Sequence, residues 1–193
     1  VLVVKLGGSL AKAGALRPWL DALAGLPGPL VVVPGGGAFA DTVRGEQTAL
    51  GYDDAAAHDM ALMAMSQLAR AIASLAPWLA YAETEAAIGG RCVFAAWPAL
   101  RDAPDLPRGW HVTSDSISVA LACRLSAARL LVVKSAEPLT GDAIELARIG
   151  LLDPAFPAML RRFRGTAHIT GPMPPSALGT LPGHRLRPSA LAA

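Results

Sequence analysis

The chain has 193 residues, 53% hydrophobic and 17% charged, enough apolar material to bury a core and to exclude disorder as the main state. Its 17 Lys+Arg against 15 Asp+Glu leave a net charge of +2, which excludes binding driven by bulk attraction to a nucleic acid and makes any anion site a local one. Mean hydropathy is +0.41, yet charges, Gly or Pro interrupt every apolar stretch short of about 18 residues, so no membrane-spanning helix is expected.

In chain order, residues 1–6 read as a short buried strand. That run is too short for a signal segment, has no basic residues ahead of it and meets Lys5 and two glycines at once, so the expectation is a cytoplasmic protein. Helical spacing follows over 16–24, a buried strand over 30–33, then helical spacing over 38–44 and 55–75. Between 81 and 110 the pattern loosens: Trp97 and Trp110 frame Pro98, Pro104, Pro107 and Gly109, an irregular excursion suited to a lid or a subunit contact. A weaker strand signal lies at 92–95 within it. A helix over 115–125, a buried strand over 130–133, a helix over 154–163 and a weaker strand over 167–170 complete the alternation. From residue 171 onward, prolines at 172, 174, 175, 182 and 188 predict a loosely structured end, with a turn at 177–181. Apolar runs alternating with helices predict an α/β fold, a three-layer α/β/α sandwich with a mainly parallel central sheet, built as one domain over 1–193. Cys92 and Cys123 lack metal-ligand spacing and sit among apolar neighbours, as reduced, buried thiols do. His58, His111, His168 and His184 are scattered, and no metal ligand is assigned.

Four segments carry chemistry. In Lys5-Leu6-Gly7-Gly8-Ser9 a strand gives way to a loop whose glycines let backbone amides approach an anion, with Lys5 as a point charge; the same pair also makes plain strand-to-helix turns. No GxxxxGK[ST] pattern occurs. Pro34-Gly35-Gly36-Gly37 follows the second strand and opens a helix at the same sheet edge, so one loop can serve a donor phosphate and the other an acceptor. Three consecutive glycines cost much conformational entropy, which favours close backbone approach to a ligand. Thr113-Ser114-Asp115-Ser116 holds ordinary helix-capping residues, and Asp115 could alternatively hold two lysine ammonium groups. Lys134-Ser135 ends a third strand. Only Lys5, Lys12 and Lys134 among the 17 basic residues are lysines, and two of them stand at strand ends, where a compact ammonium can follow a phosphoryl group.

In that order, Val-Lys-Leu-Gly-Gly-Ser-Leu at 4–10, Val-Val-Pro-Gly-Gly-Gly at 32–37 and Thr-Ser-Asp-Ser at 113–116 resemble the amino acid kinase superfamily, which includes acetylglutamate, uridylate, aspartate and isopentenyl phosphate kinases. The resemblance spans residues 1 to about 163. It implies the carbamate kinase-like fold, ATP and magnesium, a small-molecule acceptor, a homo-oligomer, and no nucleic-acid or membrane partner. It implies that Gly7, Gly8 and Ser9 contact the transferring phosphate, that Gly35, Gly36 and Gly37 contact the acceptor, and that Asp115 organises Lys5 and Lys134 as the catalytic set. The segments His58-Asp59-Met60-Ala61-Leu62-Met63-Ala64-Met65, Thr113-Ser114-Asp115-Ser116-Ile117 and Val133-Lys134-Ser135 look most like the small kinases of methanofuran biosynthesis. Those kinases convert an aminomethylfuran-methyl phosphate to its diphosphate. By that resemblance Asp53, Asp54, His58, Asp59, Met63, Thr113 and Ser114 are substrate-binding candidates, the three aspartates to meet an amine, and Ser116 and Ser135 are nucleotide-binding candidates. A methionine-rich helix could wall the acceptor pocket, although such methionines are commonly core. The superfamily's Thr-Asp-Val-Asp-Gly loop is replaced by Lys134-Ser135-Ala136-Glu137-Pro138, and a later Gly-Gly-Met segment is absent. The chain therefore divides into an acceptor and phosphate-loop portion at 1–128 and an abbreviated nucleotide-side portion at 129–193. Alternatives are another kinase of the superfamily, acting on a carboxylate or a nucleoside monophosphate, and a non-catalytic binding module on the same fold.

Overall fold

A computed structural model of the chain describes residues 1–137, 141–174 and 182–187. Strand β1 (Leu2–Leu6) leads through a 3-10 turn (Gly8–Leu10) into α1 (Leu16–Ala24), then β2 (Leu30–Pro34), α2 (Gly37–Leu50) and the long α3 (Asp54–Leu75). Next come β3 (Ala80–Ala82), β4 (Arg91–Phe94), α4 (Ala96–Leu100), α5 (Ser114–Arg124) and β5 (Arg129–Val133). Helices α6 (Ala143–Arg148) and α7 (Phe156–Leu160), then β6 (Thr166–Thr170) and β7 (His184–Leu186), end the described chain. The sheet order is β3-β4-β2-β1-β5-β6-β7, with every neighbouring pair parallel except β6 and β7. This is the expected α/β sandwich.

The central strands are apolar nearly end to end because both sheet faces are covered. Val3, Val31, Val33 and Val132 join one core with Leu62, Ile117 and Phe156; Leu2, Val4, Leu131 and Val133 join the other with Trp19 and Leu20. Side chains alternate along a strand, so Lys5 shares the face of Val3, and Lys134, two residues past Val132, shares the face of Val132. Both lysines therefore point to the layer that α5 supplies.

The structure corrects the sequence pattern in three places. The loose region contains β3, a 3-10 turn (Glu85–Ala87), β4 and α4, so its one long irregular stretch is 101–110; strands of three and four residues are too short to show a period. Helix α2 continues through Gly45 to a left-handed Gly51 (φ +73°), whose amide closes on the Gln47 carbonyl, past the expected end at 44. In the proline-rich end, His184–Leu186 forms an antiparallel edge strand on β6. Pro138, Pro175, Pro188 and the turn expected at 177–181 lie outside the described residues. Cys92 is buried but Cys123 is only half-buried, and both are free thiols. Among the described residues no helix is long and apolar enough to cross a membrane.

Candidate active site

Strand order reverses across β1, with β2 on one side and β5 on the other, and the carboxyl ends of these three strands open into a cavity of about 480 Å³. Lys5 Nζ lies 2.7 Å from Asp115 Oδ1, and Lys134 Nζ lies 2.8 Å from Oδ2 and 3.1 Å from Oδ1. One carboxylate thus bridges two ammonium groups from adjacent strands. Lys5 and Asp115 are each only 3% exposed, so their charges are poorly screened by water. Burial pushes Lys5 down to about 8; Asp115 pulls it back up, and Lys134 adds to the fall. For Asp115 burial acts upward, but Lys5 and Lys134 overcome it and hold the carboxyl below the usual range.

Helix α5 delivers Asp115 in its first turn, and a residue distant in sequence fixes that turn. Asp153, just ahead of α7, accepts hydrogen bonds from Thr113 N at 2.8 Å, Thr113 Oγ at 2.9 Å and Ser116 N at 3.0 Å on one oxygen. Its other oxygen accepts from Ser116 Oγ and from Phe156 N at 2.9 Å. The N-cap hydroxyl of Thr113 accepts only a long bond of 3.4 Å from Asp115 N. Burial and the Asp115 charge push Asp153 above the ordinary aspartate value, against the pull of its Ser116 and Thr113 donors.

The glycine loops are needed first by each other. A Cβ on Gly8 would lie 2.2 Å from Gly37 N, and Gly37 itself has φ +56°. The amide of Gly7 donates to the Val133 carbonyl at 3.0 Å and that of Gly35 to Leu6 at 2.8 Å. These two amides extend the sheet ladder, so the expectation that all five glycines offer N–H groups to phosphate is corrected. Gly8, Gly36 and the first turn of α2 remain for an anion, together with the positive end of that helix. Ser9 and Ser135 line the same cavity and share a hydroxyl hydrogen bond of 2.6 Å that ties the β1 loop to the β5 end.

The cavity also gathers Thr113, Ser114 and a buried His58, whose imidazole is held below its ordinary value by burial despite a hydrogen bond to the Gly109 backbone. Four expected substrate residues lie outside the lining. On α3 the cavity face runs 58, 61, 62, 65, the spacing of one helical stripe, which turns 59 and 63 away. Asp53 instead caps α3 by accepting from Ala56 N at 2.8 Å, and Asp54 accepts from Gln47 Nε2 at 2.9 Å. Asp59 pairs with Arg108, and Met63 is 39% exposed. Met65 takes the place expected of Met63. Ser116 is wholly buried against Asp153 and does not line the cavity, so the expected nucleotide contact there is replaced by a structural bond.

Three lining residues escaped the sequence pattern. Arg44 stacks its guanidinium 4.2 Å from the Trp110 ring centroid, and Trp110 Nε1 donates to Gln47 Oε1 at 2.6 Å. Helical spacing from the glycine loop through Gly37, Ala40, Asp41 and Arg44 carries a legible signal for Arg44. Asp153 is signalled by its place before Pro154 at the start of a predicted helix. Trp110 has no local signal, since a lone aromatic in an irregular stretch fits many roles.

Residues 1–89 match the model of the amino acid kinase family. The [5-(aminomethyl)furan-3-yl]methyl phosphate kinase of Methanocaldococcus jannaschii is 24% identical over 187 residues, 86% of this chain and 86% of that protein. Among solved structures, uridylate kinase from Archaeoglobus fulgidus superposes with a TM-score of 0.69 at 14% identity, over 88% of this chain and 90% of that one. Aspartate kinase from Synechocystis gives 0.70 at 16% identity, with all of this chain covering 40% of the longer enzyme. Residues 1–89 thus resemble the amino acid kinase family, and the chain as a whole shares the α/β fold of these kinases.

Proposed function

We propose that this chain transfers the γ-phosphoryl group of ATP to a small phosphorylated acceptor, with [5-(aminomethyl)furan-3-yl]methyl phosphate, the substrate named for its Methanocaldococcus jannaschii relative, as the first acceptor to test. The observation that carries the reading is the pair of ammonium groups held on Asp115 where two glycine loops converge. Phosphoryl transfer asks little covalent work of the protein and much positioning and charge stabilisation. An anionic oxygen of the acceptor phosphate attacks the γ-phosphorus, the bond from that phosphorus to the β–γ bridging oxygen breaks, and ADP leaves with the electron pair. The attacking oxygen carries no proton, so no general base is required.

In this reading Lys5 and Lys134 stabilise charge on the transferring group, Gly8 and Gly36 supply amides, and Asp115 orients both lysines. Residues 1–128 hold the acceptor and the phosphate loops, while 129–193 supply the nucleotide side. Arg44 is a cation outside the lysine cluster, stacked on Trp110, and suits an acceptor with both an anionic group and a flat ring. Asp41 lines the cavity outside that cluster, and its ion pair with Lys12 is an exposed one, so it is the group we assign to an acceptor amine. Magnesium typically enters such sites on the nucleotide phosphates, where it neutralises charge.

The test is ADP release from ATP with magnesium and a panel comprising the furan phosphate, its dephosphorylated alcohol, UMP, aspartate and acetylglutamate. Turnover confined to phosphorylated acceptors is expected, greatest with the furan phosphate. Turnover with a carboxylate alone would move the assignment to an acyl phosphate kinase; ATP binding without turnover would move it to a binding module.

A further inference from the structure

Beyond the lysine pair and its bridging aspartate, the cavity holds a second buried carboxylate whose placement is unusual. Asp153 is 5% exposed and belongs to the segment before α7, yet it accepts from Thr113 and Ser116 at the start of α5 and from Phe156 in α7. Three of its five donors are backbone amides, which can only donate, so the site is built for a carboxylate anion. Such an anion could have been left in water; here it is buried within the field of Asp115, where like charge opposes it. A solvent-exposed acid or a local serine cap would hold a helix start without that penalty. The charge itself therefore has a use.

We infer that Asp153 is a positioning residue that locks the first turn of α5, and so Asp115, while its negative charge keeps Lys5 protonated for phosphoryl transfer. The charged groups acting on Lys5 are Asp115 from α5, Lys134 from the end of β5 and Asp153 from the segment before α7. Lys134 opposes protonation of Lys5; Asp115 and Asp153 favour it. With both lysines charged, the two carboxylates balance the cluster before any phosphate enters. The inference rests on the kinase reading for its purpose but not for its test, because a lysine can be titrated without turnover.

The chain has only three lysines, so carbon-13 labelling at the lysine ε position gives three signals, and Lys5→Arg and Lys134→Arg variants assign them. In Asp153→Asn the Lys5 midpoint is expected to fall by about half a pH unit or more below its wild-type value near 8. The alkaline limb of kcat/KM should move acidward by a matching amount. An unmoved Lys5 midpoint in a folded Asp153→Asn protein, whatever happens to thermal stability, would reduce Asp153 to a helix cap and overturn the proposal. Should that variant not fold, the wild-type Lys5 signal decides. Coupling to both carboxylates predicts two acid-side steps, one below and one above the ordinary aspartate range; a single step below it contradicts the inference.

Discussion

At the scale of the residue, two ammonium groups share one carboxylate, and burial makes the Lys5 ammonium easier to discharge than an ordinary lysine. Lys5 titrates near 8 in the folded chain against an ordinary value of 10.5. Between those values the unfolded chain binds more protons, so this group makes folding more favourable as pH rises through the window. In the proposed reaction activity moves the opposite way, since there the protonated form of Lys5 is the one that stabilises phosphoryl charge. The expectation is a fall in kcat/KM of the free enzyme as pH rises through about 8 while the thermal midpoint does not fall with it; paired pH–rate and thermal-melt series check this. Lys5→Ala and Asp115→Asn should each lower kcat by roughly 10²- to 10³-fold, the scale of losing one aimed electrostatic contact. Arg44→Met should instead raise KM for a phosphorylated acceptor by about tenfold or more with KM for ATP unchanged, as read by steady-state kinetics. Both lysines and Asp115 were legible in the sequence because lysine is scarce and stands at strand ends. Asp53, Asp54, Asp59 and Met63 were misplaced because nearness to His58 along the chain does not specify which stripe of α3 meets the cavity.

At the scale of the element, the site depends on how closely two loops and one helix start approach. Gly8 has no room for a side chain, since a Cβ would lie 2.2 Å from the backbone nitrogen of Gly37. Gly8→Ala must push the β1 loop off the start of α2, at an expected cost of about 1–3 kcal/mol in urea unfolding, together with weaker ATP binding. A variant as stable and as active as wild type would show that the loops are free to separate. The glycines were legible, but their reason was only half so: ligand approach and loop–loop packing demand the same residue type, and only the backbone hydrogen bonds of Gly7 and Gly35 tell them apart. Strands β1, β2 and β5 were equally plain as buried apolar runs, whereas β3, β7 and α6 are too short to show a period. The long-range clamp of Asp153 on α5 was beyond reach, because nothing near residue 153 says which helix start it meets.

At the scale of the whole molecule, parity along parallel strands does most of the assembly. Lys5 and Lys134 come from neighbours in the sheet, and the alternation that buries Val3 and Val132 turns both toward α5. The cavity then lies between the α2–α3 pair, which brings Arg44 and His58, and the α5 to α7 layer, which brings Asp115 and Asp153. Ligands that bridge these layers should stabilise the fold by mass action, by about 2.7 kcal/mol at a hundredfold excess over Kd, which a thermal melt with ATP and acceptor can read. The most direct test of the phosphoryl-transfer assignment is a single-turnover reaction following the labelled γ-phosphoryl group from ATP to [5-(aminomethyl)furan-3-yl]methyl phosphate, in wild type and in Lys5→Ala. The expected result is label in a diphosphate product with wild type and a loss of at least a hundredfold in rate with the variant. Equal rates in both proteins would contradict the central role of the lysine pair, and ATP bound with no transfer to any phosphorylated acceptor would contradict the kinase itself.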